Sequence, residues 1–242
     1  MNIRFAKHAA WLALALAFAF AVAGPALATG GSRTIGSSVD DRSIVVHRIG
    51  PRDAQHTALV VGVIHGNERA GLAILNRLRN IRLPDDVAIW LIEELNPDGA
   101  AANTRQNAHG VDLNRNFPYH WQAQGEPGST YYSGPKPLSE PESRIARRFI
   151  INHNPDVTIW YHQAMALIVR SHGDLRLQRI YARDVDLPLK DIGKLPGTAV
   201  EWQNHRFRNK TAFVVELPAG SLSYRSARKH ARAVIHVTTH SL

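Results

Sequence analysis

An apolar run at residues 58–64 ends directly at a polar turn that contains His65, Gly66 and Glu68. The run has the length and β-branched content of a buried strand, and the apolar spacing over residues 70–78 predicts that a helix follows it. A histidine at the end of a strand and a glutamate three residues later, in the first turn of the helix, can both reach one cation. Gly66 permits the sharp turn between them. His-x-x-Glu is a common pattern, so the turn alone favours an ordinary polar helix start over a metal site.

The segments on either side of this turn predict a β-α-β unit. Residues 43–49 are predicted to form an edge strand, and residues 86–95 form the next strand after the helix. A strand, a helix and a strand in this order imply a right-handed crossover and a parallel pairing.

The first 28 residues are predicted to be a secretory signal. Arg4 and Lys7 precede an apolar run, and Gly24-Pro25 stands just before a small-x-small site, so we expect cleavage after Ala28. The alternative is a retained membrane anchor, but the run is shorter than the roughly 20 residues that a span needs. The expected location is therefore secreted, periplasmic or in the cell envelope, with no stable membrane anchor after cleavage.

Cleavage would leave 214 residues (242 minus 28), which suits a single domain. The net charge would fall from +9 to +7, since the removed segment carries two positive charges, Arg4 and Lys7, and no acid. The excess is compatible with attraction to anionic envelope polymers or with solubility alone. Nucleic acid is not an expected partner, because the charge is not gathered into one motif. Residues 29–42, rich in Gly, Ser and Thr, are predicted to be a flexible lead-in to a domain at 43–242.

The chain contains no cysteine. This excludes disulfides, a thiol nucleophile and thiolate ligands, so a metal would have to be held by His, Asp or Glu. His162 follows a second buried strand at residues 157–161, and zinc in catalytic sites commonly takes three protein ligands and a water. We therefore predict a zinc site made of His65, Glu68 and His162.

Two further segments resemble sequence motifs of a known family. Residues 96–99 read Asn-Pro-Asp-Gly, and residues 105–117 read Arg-x-Asn-x-x-Gly-Val-Asp-Leu-Asn-Arg-Asn-Phe. Together with His65-x-x-Glu68 they resemble the zinc carboxypeptidase family. The resemblance implies an α/β fold in one compact domain, with a mixed, mostly parallel central sheet and helices on both faces. It also implies one Zn²⁺ per chain and a peptide substrate with a free carboxylate beside the scissile amide.

The resemblance also implies roles for individual residues. Arg105 corresponds to the arginine that stabilises the oxyanion, and Asn114 with Arg115 to the pair that holds the substrate carboxylate. Asp112 corresponds to the aspartate that bonds the first histidine ligand, and Glu216, in an apolar run at 211–217, to the general base. Taken singly, each arginine is better explained by a structural salt bridge.

Within the family the chain is most similar to the bacterial murein peptide amidase branch, which cuts between γ-D-glutamate and diaminopimelate in cell-wall peptides. Residues 96–118, 139–142 and 196–198 carry this similarity. A general extracellular metallocarboxypeptidase is the alternative, and an inactive wall-binding module is a more distant one. A deacylase of the aspartoacylase kind shares the ligand pattern but resembles the chain less over 105–117.

Two departures from the larger digestive carboxypeptidases concern the substrate pocket. Residues 191–196 contain no tyrosine to close over the substrate, and Gln163 follows His162 where those enzymes have serine. Glu201 lies 15 residues before Glu216, where the family forms its side-chain pocket. An acid there could meet an ammonium group, such as the distal amine of diaminopimelate or lysine.

Three predictions concern the rest of the fold. Residues 119–137 are predicted to be a long surface loop. Ser139 and Glu142 are predicted to form a capping box for a helix that ends near residue 152, which leaves Glu140 and Glu142 without a catalytic role. A C-terminal helix is expected over residues 224–238.

Overall fold

The computed structural model describes residues 30–241, so the predicted signal at 1–28 lies outside the described residues. The strands in this range are β1 Gly31–Ser37, β2 Ser43–Ile49, β3 His56–Val63, β4 Val87–Glu94, β5 Val157–Val169, β6 Leu189–Lys190 and β7 Thr211–Pro218. The helices are α1 Gly71–Arg79, α2 Pro97–Ala102, α3 Pro141–His153, α4 Leu175–Val185, α5 Ala199–Arg206 and α6 Tyr224–Thr239, with a 3₁₀ turn at Leu113–Arg115.

The strands form one mixed, mostly parallel sheet. Its order is β1-β2-β4-β3-β5-β6, and β7 also pairs with β5. β1 with β2 and β2 with β4 are antiparallel, whereas β3 is parallel to both β4 and β5, and β5 is parallel to β7. The carboxyl ends of β3 and β7 therefore flank the middle of β5, near His162. This confirms the predicted fold class and the parallel pairing of β3 with β4.

The core has two halves, one on each face of the sheet. Along β3, Ala58 and Val60 pack with α1, α4 and α6, whereas Leu59 and Val61 pack with α3 and α5. This alternation follows from the two-residue period of a strand. Because both faces are covered, the central strands are apolar almost throughout.

The N-terminal part of the domain differs from the prediction. Residues 31–37, within the predicted flexible lead-in, form β1, which pairs along β2 from Gly31 opposite Arg48 to Ser37 opposite Ser43. The lead-in is therefore a strand over this range, and β2 is an interior strand instead of an edge strand. β1 is mostly exposed, so it has no apolar alternation by which the sequence could have shown it.

The predicted capping box at α3 is wrong. The helix begins after Glu140, which makes no side-chain capping bond, and Ser139 Oγ donates to Glu140 Oε1. Glu142 is fully buried and accepts hydrogen bonds from Val39 N and Asn107 Nδ2. Ser139 and Glu142 thus bond to other partners and do not form the predicted capping bonds.

The other predicted elements are present. Residues 119–137 contain neither helix nor strand, α3 ends at His153, and α6 occupies Tyr224–Thr239 with Ala227, Ala231 and Val234 buried. Every helix within residues 30–241 is too short or too polar to span a membrane.

Candidate functional site

Three ligand-type side chains converge where β3 ends beside the middle of β5. His65 follows β3, Glu68 lies in the turn before α1, and His162 lies within β5, which continues beyond the predicted strand end. His65 Nδ1 is 2.9 Å from Glu68 Oε1, and His162 Nδ1 is 2.9 Å from Glu68 Oε2 and 3.1 Å from His65 Nδ1. All three residues are buried. The structure therefore brings together the three residues that the sequence predicted as metal ligands.

This triangle fits a zinc ion. Two ligand atoms at the usual zinc distances and at tetrahedral angles stand about 3.3 Å apart, close to the separations seen here. A His, Glu and His set is also a common donor set for catalytic zinc with one position left open. Each of the three residues can supply one donor atom to an ion placed among them.

Asp112 orients the first histidine. Its Oδ1 lies 2.9 Å from His65 Nε2, and because a carboxylate only accepts, Nε2 is the donor and Nδ1 is left to face the other two ligands. Burial alone would raise the pKa of the Asp112 carboxyl, but the charges of His65 and then of Arg105 hold that pKa well below its usual value. Asp112 therefore stays ionised, as an orienting partner of a ligand must.

The turn between His65 and Glu68 depends on a close backbone approach. A Cβ added to Gly66 would lie 1.9 Å from the carbonyl carbon of Gly99, so only glycine fits. Gly66 is not among the residues with positive φ, and its role is packing instead of the sharp turn that we predicted. Gly99 lies in α2, where Asn96 Oδ1 accepts from Gly99 N. The Asn-Pro-Asp-Gly segment thus supports the turn that presents two of the ligands.

Arg105 lies against the ligand cluster. Its Nη1 donates to Glu68 Oε1, and its Nε and Nη2 both donate to Asp112 Oδ2, each at 3.0 Å. Within residues 30–241 these bonds use three of its five N–H donors. Arg105 therefore forms structural salt bridges, as expected for a single arginine, and still has two N–H donors free at the edge of a cavity.

A cavity of about 260 Å³ opens beside the ligands, and Arg105, Asn114, Arg115, Glu201 and Glu216 all line it with His65 and His162. The 3₁₀ turn Leu113–Arg115 places Asn114 and Arg115 here, since Asp112 Oδ1 accepts from Asn114 N at its start. Asn114 Oδ1 accepts from Ala199 N, so its amide NH₂ is free to point elsewhere. All the residues that the sequence assigned to chemistry or substrate contact thus border one space.

Arg115 is a buried cation in this wall. It is 5% exposed, and burial lowers the pKa of its guanidinium, although Asp112 nearby opposes that effect. Its Nη1 donates to Asn114 O, and among the described residues no carboxylate lies within ion-pair distance of it. Buried charges are normally paired, so this position suits an anionic ligand.

Glu216 reaches the cavity from β7. Its partner in the parallel ladder is His162 on β5. Glu216 Oε2 is shielded from solvent and has no hydrogen-bond partner in the described part of the chain. A carboxylate so placed can accept a proton from a molecule in the cavity.

Glu201 occupies the first turn of α5 and lines two cavities. Its Oε2 lies 2.7 Å from His172 Nδ1, and the His172 side chain is 62% exposed. The second cavity has a volume of about 600 Å³ and shares Glu201 and Leu195 with the first. Glu201 therefore borders the cavity with a histidine beside it, and its role in the side-chain pocket stays a prediction.

Sequence reasoning missed two residues that line the smaller cavity. Tyr131, from the 119–137 loop, has its ring 5.4 Å from the Arg105 guanidinium carbon and 5.2 Å from that of Arg115. Arg170 follows the last residue of β5 and is exposed. Neither residue belongs to a recognisable motif, and only the tertiary structure places them at the site.

Comparisons with known proteins agree with this geometry. The family described as "Zinc carboxypeptidase" matches residues 31–232. Murein peptide amidase A of Escherichia coli K12 is 28% identical over 165 residues, which cover 63% of this chain and 68% of that protein. The Vibrio campbellii protein of the same name is 28% identical over 206 residues, or 78% and 79% of the two chains.

Solved structures give the same result for the fold. The murein-tripeptide amidase of Escherichia coli O157 aligns with a TM-score of 0.67 at 25% identity, covering 86% of this chain and 91% of that chain. Carboxypeptidase A of Helicoverpa armigera aligns with a TM-score of 0.75 at 20% identity, covering 88% and 68% of the two chains. The second match shows similarity of fold alone.

Proposed function

Since the chain belongs to the zinc carboxypeptidase family and is a metallopeptidase-type hydrolase, we propose that it hydrolyses the amide between γ-D-glutamate and diaminopimelate in cell-wall peptides. The family is zinc-dependent, and we propose that His65, Glu68 and His162 hold one Zn²⁺ per chain. The partner is a peptide with a free carboxylate beside the scissile amide.

The observation that carries this proposal is the buried guanidinium of Arg115 in the wall of the cavity. It has no acidic partner within residues 30–241, and the neighbouring Asn114 has an uncommitted amide NH₂. A substrate carboxylate would supply the missing negative charge, and a planar guanidinium can grip both of its oxygens. We therefore propose that the free carboxylate binds at Asn114 and Arg115, with the adjacent amide between them and the ligand cluster.

Each of the remaining groups at the site has its own proposed role in amide hydrolysis. Bound zinc supplies Lewis acidity, which lowers the pKa of a water molecule to about 7 and polarises a carbonyl. Glu216 takes a proton from the attacking water and delivers it to the leaving amine. The free N–H groups of Arg105 stabilise the negative charge that develops on the carbonyl oxygen. Asp112 holds His65 in the orientation that a ligand requires.

Two observations support the cell-wall substrate over ordinary peptides. Relatives named murein peptide amidase cover most of the chain. Glu201 lines the cavity and offers a carboxylate to the distal ammonium group of diaminopimelate, beside the exposed His172.

The test compares two amide linkages. The zinc-loaded domain is incubated with L-Ala-γ-D-Glu-diaminopimelate and, separately, with α-linked peptides that end in lysine or leucine, and released amino acids are followed by mass spectrometry. We expect diaminopimelate to be released and a chelator to abolish the release. Release from α-linked peptides alone would reassign the chain to the general carboxypeptidases, and release from neither would favour a binding module.

We also propose that the protein is exported, on the basis of the signal-like sequence at 1–28. N-terminal sequencing of the protein recovered from the cell envelope is expected to begin at Thr29. Recovery of an intact Met1 from the cytoplasm would contradict export.

A further inference from the structure

We propose that Arg170 and Glu201 form a two-point recognition site for a zwitterionic group, with Glu201 binding the distal ammonium of the leaving residue and Arg170 binding its distal carboxylate. This inference rests on the proposed function and extends it from the scissile amide to the far end of the substrate. It makes Arg170 a residue that determines specificity.

The two side chains line the same cavity, together with Ser171. His172, two residues after Arg170, contacts Glu201 at 2.7 Å and so ties the segment after β5 to the first turn of α5. A positive and a negative side chain therefore border the part of the cavity where that segment meets α5.

The backbone that carries Arg170 is fixed on several sides. Arg170 N donates to Lys190 O of β6 at 2.7 Å. Ser171, the next residue, donates two hydrogen bonds, one from its backbone N to Gln178 Oε1 and one from its Oγ to Ala212 O. Arg170 is exposed to solvent, so a ligand would meet a guanidinium on a rigid support.

The charge of Arg170 is available to a ligand. No ion pair joins Arg170 to Glu201, and within residues 30–241 the Arg170 guanidinium makes neither a hydrogen bond nor a salt bridge. The partner of Glu201 is the exposed His172. A salt bridge therefore need not be broken to free Arg170.

The chemistry of the leaving residue matches this pair. The distal carbon of diaminopimelate carries an ammonium and a carboxylate together, so an acidic pocket alone would attract one group and repel the other. Lysine has only the ammonium. Glu201 alone would favour lysine, whereas Glu201 with Arg170 favours diaminopimelate.

The second cavity offers a competing location for the carboxylate. Lys194, Arg208 and three histidines line it with Glu201. Because Arg208 lines only this second cavity, Arg208→Gln is the matched control for Arg170→Gln.

The experiment uses two tripeptides, L-Ala-γ-D-Glu-diaminopimelate and L-Ala-γ-D-Glu-lysine, with the zinc-loaded wild type, Arg170→Gln, Arg208→Gln and Glu201→Gln. For Arg170→Gln we expect kcat/KM to fall about tenfold or more with the diaminopimelate peptide, as for a lost hydrogen bond to a charged group, and less with the lysine peptide. Glu201→Gln is expected to lower kcat/KM for both substrates. Arg208→Gln is expected to leave the ratio of the two unchanged.

Binding of free diaminopimelate and free lysine, measured by calorimetry, separates this inference from the proposed function. If the wild type hydrolyses neither tripeptide but binds diaminopimelate more tightly than lysine, and Arg170→Gln removes that difference, the proposed function fails and the recognition site stands. The assignment to Arg170 would be overturned if Arg170→Gln changed the binding of both ligands equally or changed neither. It would also be overturned if Arg208→Gln, instead of Arg170→Gln, removed the preference for diaminopimelate.

Discussion

His162 on β5 and Glu216 on β7 are direct partners in a parallel ladder. Because paired residues in a sheet point to the same face, a candidate ligand and a candidate proton acceptor border the same cavity. The distance between their backbones is set by the spacing of neighbouring strands and does not depend on a flexible loop. The sheet therefore positions both groups of the proposed reaction.

Glu216→Gln is predicted to lower kcat by roughly a hundred- to ten-thousandfold, because the amide cannot take a proton from water. Zinc content, measured by atomic emission on the same samples, should be unchanged because Glu216 is not in the ligand triangle. Glu126→Gln, on the exposed loop, serves as the control. Turnover near the wild-type value in Glu216→Gln would remove Glu216 from the mechanism.

Asp112→Asn is predicted to weaken zinc binding by about ten- to a hundredfold, because the negative partner of the first histidine ligand is lost. The affinity is measured by competition with a chromophoric chelator. Asp186→Asn, whose side chain is 82% exposed, is the matched control and should bind zinc as the wild type does. An unchanged zinc affinity in Asp112→Asn would show that the contact with His65 does not orient the ligand.

Arg115→Lys is predicted to lower kcat/KM by about ten- to a hundredfold for a substrate with a free carboxylate, since an ammonium cannot grip both carboxylate oxygens. The same substrate with that carboxylate converted to an amide should be poor with the wild type and little affected by the substitution. Arg52→Lys, at an exposed position, controls for general effects of the exchange. An equal loss with both substrates would mean that Arg115 supports the structure and does not recognise the carboxylate.

His230 is predicted to make stability depend on pH. Burial, with a smaller effect of Lys229, lowers the pKa of His230 to about 4 from an ordinary value of 6.5. The unfolded chain therefore binds a proton at higher pH than the folded chain, and the free energy of unfolding falls as the pH falls from 6.5 towards 4. At about 1.4 kcal/mol per pKa unit, the loss approaches about 3 kcal/mol.

Urea unfolding of zinc-free protein between pH 7.5 and pH 4.5 measures this effect. His230 Nδ1 lies 2.9 Å from Tyr181 Oη, so His230→Gln keeps a polar group at the position but cannot titrate. We expect a flatter pH dependence for His230→Gln than for the wild type and no such flattening for the exposed His205→Gln. Parallel curves for the wild type and His230→Gln would contradict the assignment.

The sequence predicted the ligand cluster because an apolar run directly precedes His65 and another directly precedes His162. Such runs indicate buried strands, so both histidines were expected at strand ends. The run before His65, with the segment 86–95, also predicted β3, β4 and their parallel pairing. The family motif at 105–117 was needed to connect Arg105 and Asp112 with that cluster, since nothing in their own segment points to a partner 37 or 47 residues away.

What the sequence did not predict depends on tertiary contacts. Glu142 fits a capping box locally, but burial against Val39 N and Asn107 decides its actual partners. Tyr131 and Arg170 lie in segments without a motif and reach the cavity only through the fold. β1 is held by the free edge of β2, which a local pattern cannot show.

We propose that zinc held by His65, Glu68 and His162 enables this chain to cut the γ-D-Glu-diaminopimelate amide. The most direct test is to titrate metal-free protein with zinc while recording the initial rate of diaminopimelate release from L-Ala-γ-D-Glu-diaminopimelate. The account predicts that the rate rises linearly, saturates at one zinc per chain, and stays at background in His162→Ala. Full activity without zinc, or one bound zinc with no release, would contradict it.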